Sequence, residues 1–290
     1  MRIDLLAGTS YNPAAMPSPV PTILIFDSGL GGLTIFSEVL KARPDARFVY
    51  AADDAGFPYG RLSEPVLVAR VLAVMERLIG LHDPELVVIA CNTASTLVLP
   101  HLRERFSVPF IGTVPAIKPA ARATRTGYVT VLATPATVAR DYTRDLVETY
   151  AGGCKVNLVG SRRFAGFAEA ELAGAPVSDE ELLAELEPCF VQDAEGRTDV
   201  VALACTHYPL LLPRLEKIAP WPVTWIDPAP AIAKRLVQLI GPPVPGHEAD
   251  ENEALAVFTG GAGIGAPLRD ALRDRGLPLV TVEDMPLLQG

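Results

Sequence analysis

The amino-acid sequence predicts an α/β protein of two similar three-layer domains, each with a mainly parallel sheet covered by helices on both faces. Short, continuously apolar segments alternate with amphipathic helical patterns along the 290-residue chain, which is typical of such sheets. Hydrophobic residues make up 49% of the chain and charged residues 20%, so a sizeable core can be buried. The segments IACNTAST at Ile89–Thr96 and LACTHYPL at Leu203–Leu210 share one layout of apolar strand, Ala-Cys-polar turn and helix. We interpret this repetition as two related domains, with chance similarity between βα units as the alternative.

The first half of the chain begins with residues 1–21, which contain four prolines. Their apolar stretch is too short and too interrupted for a secretory signal, so we expect a flexible leader; an ordered arm or a start-site artefact is the alternative. Helical patterns follow at Leu33–Lys41, from Pro65 onwards and around Pro100–Phe106. The predicted strands are Ile23–Phe26, Arg47–Ala52, Leu86–Ala90 and Val108–Ile111.

The second half continues the alternation. Thr134 to Thr137 open a helix that is predicted to run to about Tyr150, and Ser178 is a candidate N-cap for a helix over Asp179–Leu186. The last two strands need a sheet to join, so we expect the chain to return to the first domain. The predicted domains are therefore 22–116 with 227–290, and 117–226. The predicted strands are Val129–Ala133, Lys155–Val159, Val200–Ala204, Val223–Ile226, Ala254–Phe258 and Leu279–Val282.

Charge and cysteine content exclude several classes of protein. With 25 basic and 34 acidic residues the formal net charge is −9, and no Lys/Arg block exceeds a pair such as Arg162-Arg163. This argues against a surface for nucleic acid or anionic membrane. Every apolar run is shorter than the roughly 18–20 residues of a membrane span. The four cysteines form no CxxC pair, so we expect neither a disulfide scaffold nor a zinc site, and we expect a cytoplasmic location.

Four loops follow predicted strands, where open α/β sheets bind ligands. They are Asp27–Gly32, Asp53–Gly60, Cys91–Thr96 and Cys205–Tyr208. The first lacks both the lysine of a P-loop and GxGxxG spacing, and its Asp would repel phosphate, so we expect its backbone amides to approach a small carboxylate. An Asp helix cap followed by a glycine turn is the alternative. The second loop is interpreted as a lid or rim of the site.

Two of these loops carry cysteines in matching positions. Cys91 precedes a predicted helix, whose N-terminus is expected to lower the thiol pKa. Cys205 has the same placement, with His207 two residues later to relay a proton or stabilise thiolate. Buried structural cysteines are the alternative, which we keep for Cys154 and Cys189. Two thiols on two domains suit the removal of a proton from one face of a carbon and its return to the other, which inverts the centre. No lysine lies in these loops, so we expect cofactor-free chemistry.

The motifs DSGLGG, DDAGFPYG, ACNTAST, GTVPAIKPA and ACTHYPLL occur in this order between about Ile23 and Asp227. Together they resemble the glutamate racemases of the aspartate/glutamate racemase superfamily. The resemblance implies a pyridoxal-independent 1,1-proton transfer between L- and D-glutamate, which supplies D-glutamate for peptidoglycan synthesis. It also implies an active site in the cleft between two α/β domains, a homodimer, and neither cofactor nor metal.

The resemblance further implies roles for individual residues. Cys91 and Cys205 correspond to the two catalytic acid/bases, Asp27 and His207 to assisting groups beside them, and Asp53 and Glu169 to further catalytic carboxylates. The chain departs from the usual family pattern at Ala133-Thr134 and Ser161-Arg162. The residues expected to bind substrate are Asp27, Ser28, Tyr59, Gly60, Asn92, Thr93, Thr137, Thr206 and His207.

Two other functions remain open at this point. One is a racemase for another small substrate, such as aspartate or a hydantoin, because the superfamily shares the cysteine pair. The other is a non-catalytic binding or regulatory protein on the same scaffold, which would have no need for two thiols and a histidine.

Overall fold

The computed structural model describes residues 20–246 and 253–286, so the predicted leader over residues 1–21 lies almost entirely outside the described residues. Ten strands within the described residues form two sheets. They are β1 Thr22–Asp27, β2 Arg47–Ala52, β3 Leu86–Ile89, β4 Phe110–Gly112, β5 Tyr128–Ala133, β6 Lys155–Gly160, β7 Val200–Ala204, β8 Thr224–Ile226, β9 Leu255–Phe258 and β10 Leu279–Val282.

Helices connect the strands and cover both faces of the sheets. In the described residues they are α1 Leu33–Ala42, α2 Glu64–His82, α3 Asn92–Arg105, α4 Ile117–Ala123, α5 Pro135–Ala139, α6 Asp141–Tyr150, α7 Phe164–Leu172, α8 Asp179–Leu186, α9 Leu212–Ile218, α10 Ala229–Ile240 and α11 Ala266–Arg273. None of these helices is long and apolar enough to cross a membrane.

The first sheet has the strand order β10-β9-β2-β1-β3-β4 and the second has the order β6-β5-β7-β8. Every pairing in the two ladders is parallel, as the continuous apolar runs predict. The α/β class with parallel sheets is therefore confirmed. Strands β9 and β10 join the first sheet beside β2.

Alternation along β1 shows how the first sheet is buried. Ile23 and Ile25 contribute to one core cluster, with apolar residues of α1 and α10. Leu24 and Phe26 contribute to the other cluster, with apolar residues of α2 and α3. Successive side chains of a strand point to opposite faces, so a run without polar residues is what a sheet covered on both sides requires.

Strand register brings the polar loops to one edge of each sheet. Asp27 pairs with Ala52, and Phe26 pairs with Ile89, so the chain leaves β1, β2 and β3 at the same edge. In the second sheet Ala133 pairs with Ala204. The segments that begin at Thr134 and Cys205 therefore also leave their sheet side by side.

The helix predicted to run from Thr134 to about Tyr150 is instead two helices. Arg140 has an extended backbone (φ −68°, ψ 136°) that separates α5 from α6. Its guanidinium pairs with Glu64, at the start of α2. The short helix α5 therefore stays beside the loops of the first sheet, while α6 packs along its own sheet.

Candidate active site in the cleft between the two sheets

Loops from the two sheets meet through several hydrogen bonds. The backbone N–H of Leu30, after β1, donates to Oε1 of Glu169 on α7 at 2.7 Å. The hydroxyl of Thr34 donates to the backbone oxygen of Thr206 at 3.3 Å. These contacts hold the glycine-rich loop of the first sheet against the cysteine loop of the second.

Asp27 ends β1 and is fully buried. Its Oδ2 accepts hydrogen bonds from the backbone N–H of Gly32 at 2.7 Å and from the hydroxyl of Thr206 at 3.4 Å. Its Oδ1 has no hydrogen-bond partner among the described residues. Burial raises the pKa of Asp27, although the charge of His207 acts in the opposite direction. One carboxylate oxygen is thus available to a ligand.

Glycines in the loop after β1 allow the second sheet's residues to come close. A Cβ on Gly31 would lie 2.6 Å from the backbone nitrogen of His207, and a Cβ on Gly29 would lie 2.3 Å from Oε1 of Glu169. Real Cβ atoms are not found so close to other heavy atoms. Gly31 is therefore required for the close approach of the His207 backbone to the loop after β1, because backbone atoms cannot move aside as a flexible side chain can.

Cys91 is the N-cap residue of α3 and is buried. Its thiol donates to the hydroxyl of Ser28, with 3.7 Å between Sγ and Oγ. Burial raises the pKa of the Cys91 thiol well above its ordinary value, and the charges of Asp27 and Cys205 raise it further. The helix N-terminus acts in the predicted direction, because the backbone N–H of Ala94 lowers the thiol pKa, but desolvation outweighs it and the net shift is upward. The contribution of Cys205 indicates that the two cysteines are electrostatic neighbours.

Cys205 follows β7 and is also buried. Its Sγ lies 3.9 Å from Nδ1 of His207, whose Nε2 lies 2.7 Å from Oε1 of Glu169. Burial lowers the pKa of His207, but interactions with Cys205, Glu169 and Asp27 raise it well above its ordinary value. These interactions favour the protonated form of the imidazole. A cation beside a sulfur stabilises thiolate.

Phe57 completes the surroundings of this histidine. Its ring centroid lies 5.5 Å from that of His207, with the rings tilted by 41°. Phe57 precedes Pro58 in the loop after β2. That loop therefore reaches the histidine as well as the rim of the cleft.

The residues predicted to bind substrate provide mainly amide and hydroxyl groups. Asn92 is buried, and neither atom of its side-chain amide has a hydrogen-bond partner among the described residues. The hydroxyl of Thr93 lies 3.1 Å from that of Thr134 and 3.4 Å from that of Thr137, which are 3.1 Å from each other. We call Thr93, Thr134 and Thr137 the threonine cluster. It joins α3 of the first sheet to α5 of the second.

Asp53, Tyr59 and Gly60 belong to the loop that follows β2. Tyr59 is buried, and its hydroxyl donates to Oδ2 of Asp53 at 2.5 Å. Gly60 is exposed, and a Cβ built on it would lie 4.0 Å from side chains of Thr134 and Ala136. Gly60 thus faces the second sheet across the cleft, whereas Asp53 is enclosed by its own partners.

Three residues of this region were not predicted from the sequence: Thr134 of the threonine cluster, and Arg70 and Thr259 beside Asp53. Thr134 precedes Pro135 after a buried strand, which is a signature of a helix start. Arg70 occupies an apolar position of the α2 pattern, three residues after Leu67 and four before Val74. A charged residue at a core position was the signal available for it.

The described residues include no cluster of three or more His, Cys, Asp or Glu side chains that could hold a metal ion. The loops of the two sheets instead bring together two buried thiols, the imidazole of His207, the carboxylates of Asp27 and Glu169, and a set of amide and hydroxyl groups. Chemically, this arrangement can move protons and bind a small polar ligand.

Comparison with known proteins identifies the family. A family model described as Asp/Glu/Hydantoin racemase matches residues 38–236. The glutamate racemase of Brucella anthropi is 52% identical over 249 residues, which span 85% of this chain and 90% of that protein. The glutamate racemase of Mesorhizobium japonicum is 55% identical over 240 residues, which span 82% and 91% of the two chains.

Solved structures agree with the sequence comparison. The crystal structure of Escherichia coli glutamate racemase in complex with L-glutamate and the activator UDP-MurNAc-ala matches with a TM-score of 0.83 and 39% identity. The match covers 92% of this chain and 99% of that one. The resemblance in the sequence motifs is therefore confirmed, and the chain belongs to the Asp/Glu/Hydantoin racemase family, within which it groups with the glutamate racemases.

Proposed function

We propose that this protein interconverts L-glutamate and D-glutamate without a cofactor, with Cys91 and Cys205 as the two acid/base groups. The observation that carries the proposal is the matched placement of the two buried thiols, one after β3 of the first sheet and one after β7 of the second. The glutamate racemases among the relatives support the substrate. We also propose that residues 22–116 with 227–290 and residues 117–226 are the two domains that close on it.

The reaction needs one thiolate and one thiol at a time. One cysteine, as thiolate, takes the α-proton from one enantiomer, and the electron pair remains on the substrate as a carbanion delocalised into its carboxylate. The other cysteine, as thiol, then donates its proton to the opposite face of the α-carbon and becomes the thiolate. The reverse direction exchanges the two roles, so no net proton is consumed.

The charges in the site divide these roles. His207, whose raised pKa favours a positive charge, lies with Nδ1 3.9 Å from Sγ of Cys205, and Glu169 contributes to that raised pKa. At Cys91, burial raises the thiol pKa, which favours a proton donor. We therefore assign the base to Cys205, beside the imidazole, and the acid to Cys91.

The polar groups without protein partners are assigned to the substrate. The free Oδ1 of Asp27 suits the α-ammonium group. The unpartnered amide of Asn92 lies at the N-terminus of α3, where backbone N–H groups favour a carboxylate. Carboxylate binding by backbone and side-chain donors also stabilises the charge that develops when the α-proton leaves.

Exchange of the α-proton with solvent tests the proposal. Pure protein is incubated with a single enantiomer of glutamate in deuterated water, and deuterium at Cα is followed by mass spectrometry while inversion is followed by circular dichroism. We expect both signals from either enantiomer without added cofactor. A panel of single-enantiomer amino acids and hydantoins tests the alternative substrates, and absence of exchange with every compound would favour the non-catalytic alternative.

The cellular role follows from the product. We propose that the enzyme is cytoplasmic, acts as a homodimer, and supplies D-glutamate for peptidoglycan synthesis. Cells depleted of the protein are expected to lyse unless D-glutamate is supplied. Sedimentation of the purified protein tests the dimer, and a monomer at all concentrations would exclude it.

A further inference from the structure

Asp53 is surrounded by donors from three parts of the chain. Tyr59 donates to its Oδ2 at 2.5 Å. Arg70, on α2, contacts both oxygens, with Nη2 2.5 Å from Oδ1 and Nε 3.0 Å from Oδ2. Thr259, directly after β9, donates to Oδ1 at 2.6 Å. Asp53 itself is fully buried.

In these contacts Asp53 serves as a hydrogen-bond acceptor for its neighbours. Both carboxylate oxygens are occupied, and the four contacts together use lone pairs of both oxygens as acceptors. The bidentate guanidinium is a strong, directional partner for such a group. A proton transferred to Asp53 would break at least one of these bonds, so the carboxylate is better suited to fixing its neighbours than to exchanging protons.

The neighbour that reaches the cleft is the turn of Tyr59 and Gly60. The ring of Tyr59 packs against Phe26 of β1, with 6.4 Å between centroids, and shares a core cluster with Cys91. Its hydroxyl is held by Asp53, and the next residue, Gly60, faces Thr134 across the cleft. The position of this turn therefore depends on the carboxylate behind it.

Arg70 connects this carboxylate to the last part of the described chain. Its Nη1 donates to the backbone oxygen of Pro286 at 3.3 Å. The neighbouring Asp54 accepts the backbone N–H groups of Gly260 and Gly261 at 2.7 and 2.8 Å. Helix α2 and the segment after β9 are thus fastened to the base of the loop that carries Tyr59 and Gly60.

We propose that Arg70 and Thr259 are positioning residues, which act through Asp53 to hold the Tyr59–Gly60 turn in the geometry that binds the substrate. This inference rests on the proposed function, because it takes that turn as part of the glutamate site. It assigns Asp53 a positioning role instead of an acid/base role.

The same strand provides a matched control at its other end. Arg43 and Asp45 form a second buried bidentate pair just before β2, with both N–O distances at 2.8 Å. Asp53 follows the last residue of β2. Six strand residues, a length of about 20 Å, separate the two pairs. Loss of a charge partner in either pair destabilises the fold, but only the pair at Asp53 contacts the turn.

The experiment compares Tyr59→Phe, Arg70→Lys and Asp53→Asn with the control Asp45→Asn. For each variant kcat and KM for L- and D-glutamate are measured, together with α-deuterium exchange and Tm. We expect KM to rise about tenfold in Tyr59→Phe, because one buried hydrogen bond is lost, with kcat changed less than about threefold. Arg70→Lys should raise KM similarly, since lysine cannot bridge both oxygens. Asp45→Asn should lower Tm and leave KM unchanged.

Two results would overturn the inference. Unchanged KM in Tyr59→Phe and in folded Arg70→Lys would show that the network only stabilises the fold. A loss of kcat of about 10²-fold or more in Asp53→Asn with unchanged KM would assign it acid/base work. Tyr59→Phe adds no charge and leaves the Arg70 pair intact, so it decides the matter even where Asp53→Asn does not fold. Wild-type protein without α-exchange would instead refute the proposed function, and this inference with it.

Discussion

Oε1 of Glu169 lies 2.7 Å from Nε2 of His207 and accepts the backbone N–H of Leu30 at the same distance. One carboxylate oxygen thereby joins the histidine after β7 to the glycine-rich loop after β1. Because a protonated imidazole makes the stronger, charge-assisted hydrogen bond, protonation of His207 and contact between the two sheets' loops favour each other.

Replacing Glu169 with Gln should change the pH dependence of the reaction. Without the carboxylate the pKa of His207 falls, because one of the interactions that raise it is lost. The positive charge of the imidazole beside Sγ of Cys205 is then lost at lower pH. We expect the alkaline limb of the kcat/KM profile to move to lower pH in E169Q, measured by circular dichroism across the neutral and alkaline range.

The folded protein should show the same coupling in its stability. The pKa of His207 is raised on folding, so its contribution is fully present below the ordinary histidine pKa and is lost as pH rises through the raised value. The Tm difference between wild type and E169Q should therefore shrink as pH rises through that range. Glu171→Gln is the control, since Glu171 lies on the same helix but pairs with Arg214 at 2.8 Å. If the alkaline limb of the kcat/KM profile is the same in E169Q as in wild type, Glu169 does not act on the reaction through His207.

Removing either thiol should stop inversion. In Cys91→Ala or Cys205→Ala one face of the α-carbon loses its acid/base group, and each such group contributes about 10²–10⁴-fold. We expect circular dichroism to show no inversion by either variant at wild-type enzyme concentrations. Cys154→Ala is the control, because Cys154 directly precedes β6, at the opposite edge of its sheet. Near-normal inversion by either single variant would end the two-base mechanism.

A methyl group at Gly31 should keep the lobes from meeting. Its Cβ would lie 2.6 Å from the backbone nitrogen of His207, and backbone does not move aside easily. We expect kcat/KM of Gly31→Ala to fall by about 10²-fold, the effect of displacing reacting groups by an ångström.

Gly80→Ala is the matched control for that substitution. Gly80 lies within α2, and apart from its chain neighbours and the adjacent turns of its own helix, no described residue has an atom within 4 Å of the Cβ it would gain. Alanine there should stabilise the helix by up to about 1 kcal/mol without changing kcat/KM. Equal activity of the two variants would show that the approach of His207 to the loop does not matter for catalysis.

The framework of the site was predictable from the sequence because its causes are local. The runs LVVIA before Cys91 and VVALA before Cys205 are buried strands, and parallel strands end at one edge of a sheet. The burial of the site residues was not predictable, because it depends on packing between elements that are distant in sequence. The pKa of Cys91 illustrates this: the helix start is visible in the sequence, whereas the burial that dominates the pKa is not.

Contacts between site residues that are far apart in sequence were also not predictable. Glu169 was predicted from the family resemblance alone. The stretch FAGFAEAEL lacks a clear amphipathic pattern, so helix α7 was not predicted. Its contacts with His207 and Leu30 bridge 38 and 139 positions of sequence. Asp53 was predicted as a catalytic carboxylate at a strand end. Its contact with Thr259 depends on β9 pairing with β2, and its contact with Arg70 depends on how α2 packs beside that loop.

Thr134 belongs to the threonine cluster but was not among the site residues predicted from the sequence. Its hydroxyl lies 3.1 Å from those of Thr93 and Thr137 and also accepts a hydrogen bond from the backbone N–H of Thr137. Thr134→Val should therefore raise KM for glutamate about tenfold. Thr134→Ser, which keeps the hydroxyl, should have the wild-type KM. Ser178→Ala is the control for loss of a helix cap, because Ser178 caps α8 through Glu181. It should cost about 1 kcal/mol of stability with KM unchanged. Steady-state kinetics and thermal unfolding of the three variants separate the two effects. If Thr134→Val and Ser178→Ala both lose stability and neither alters KM, the hydroxyl of Thr134 is a cap and not a substrate contact.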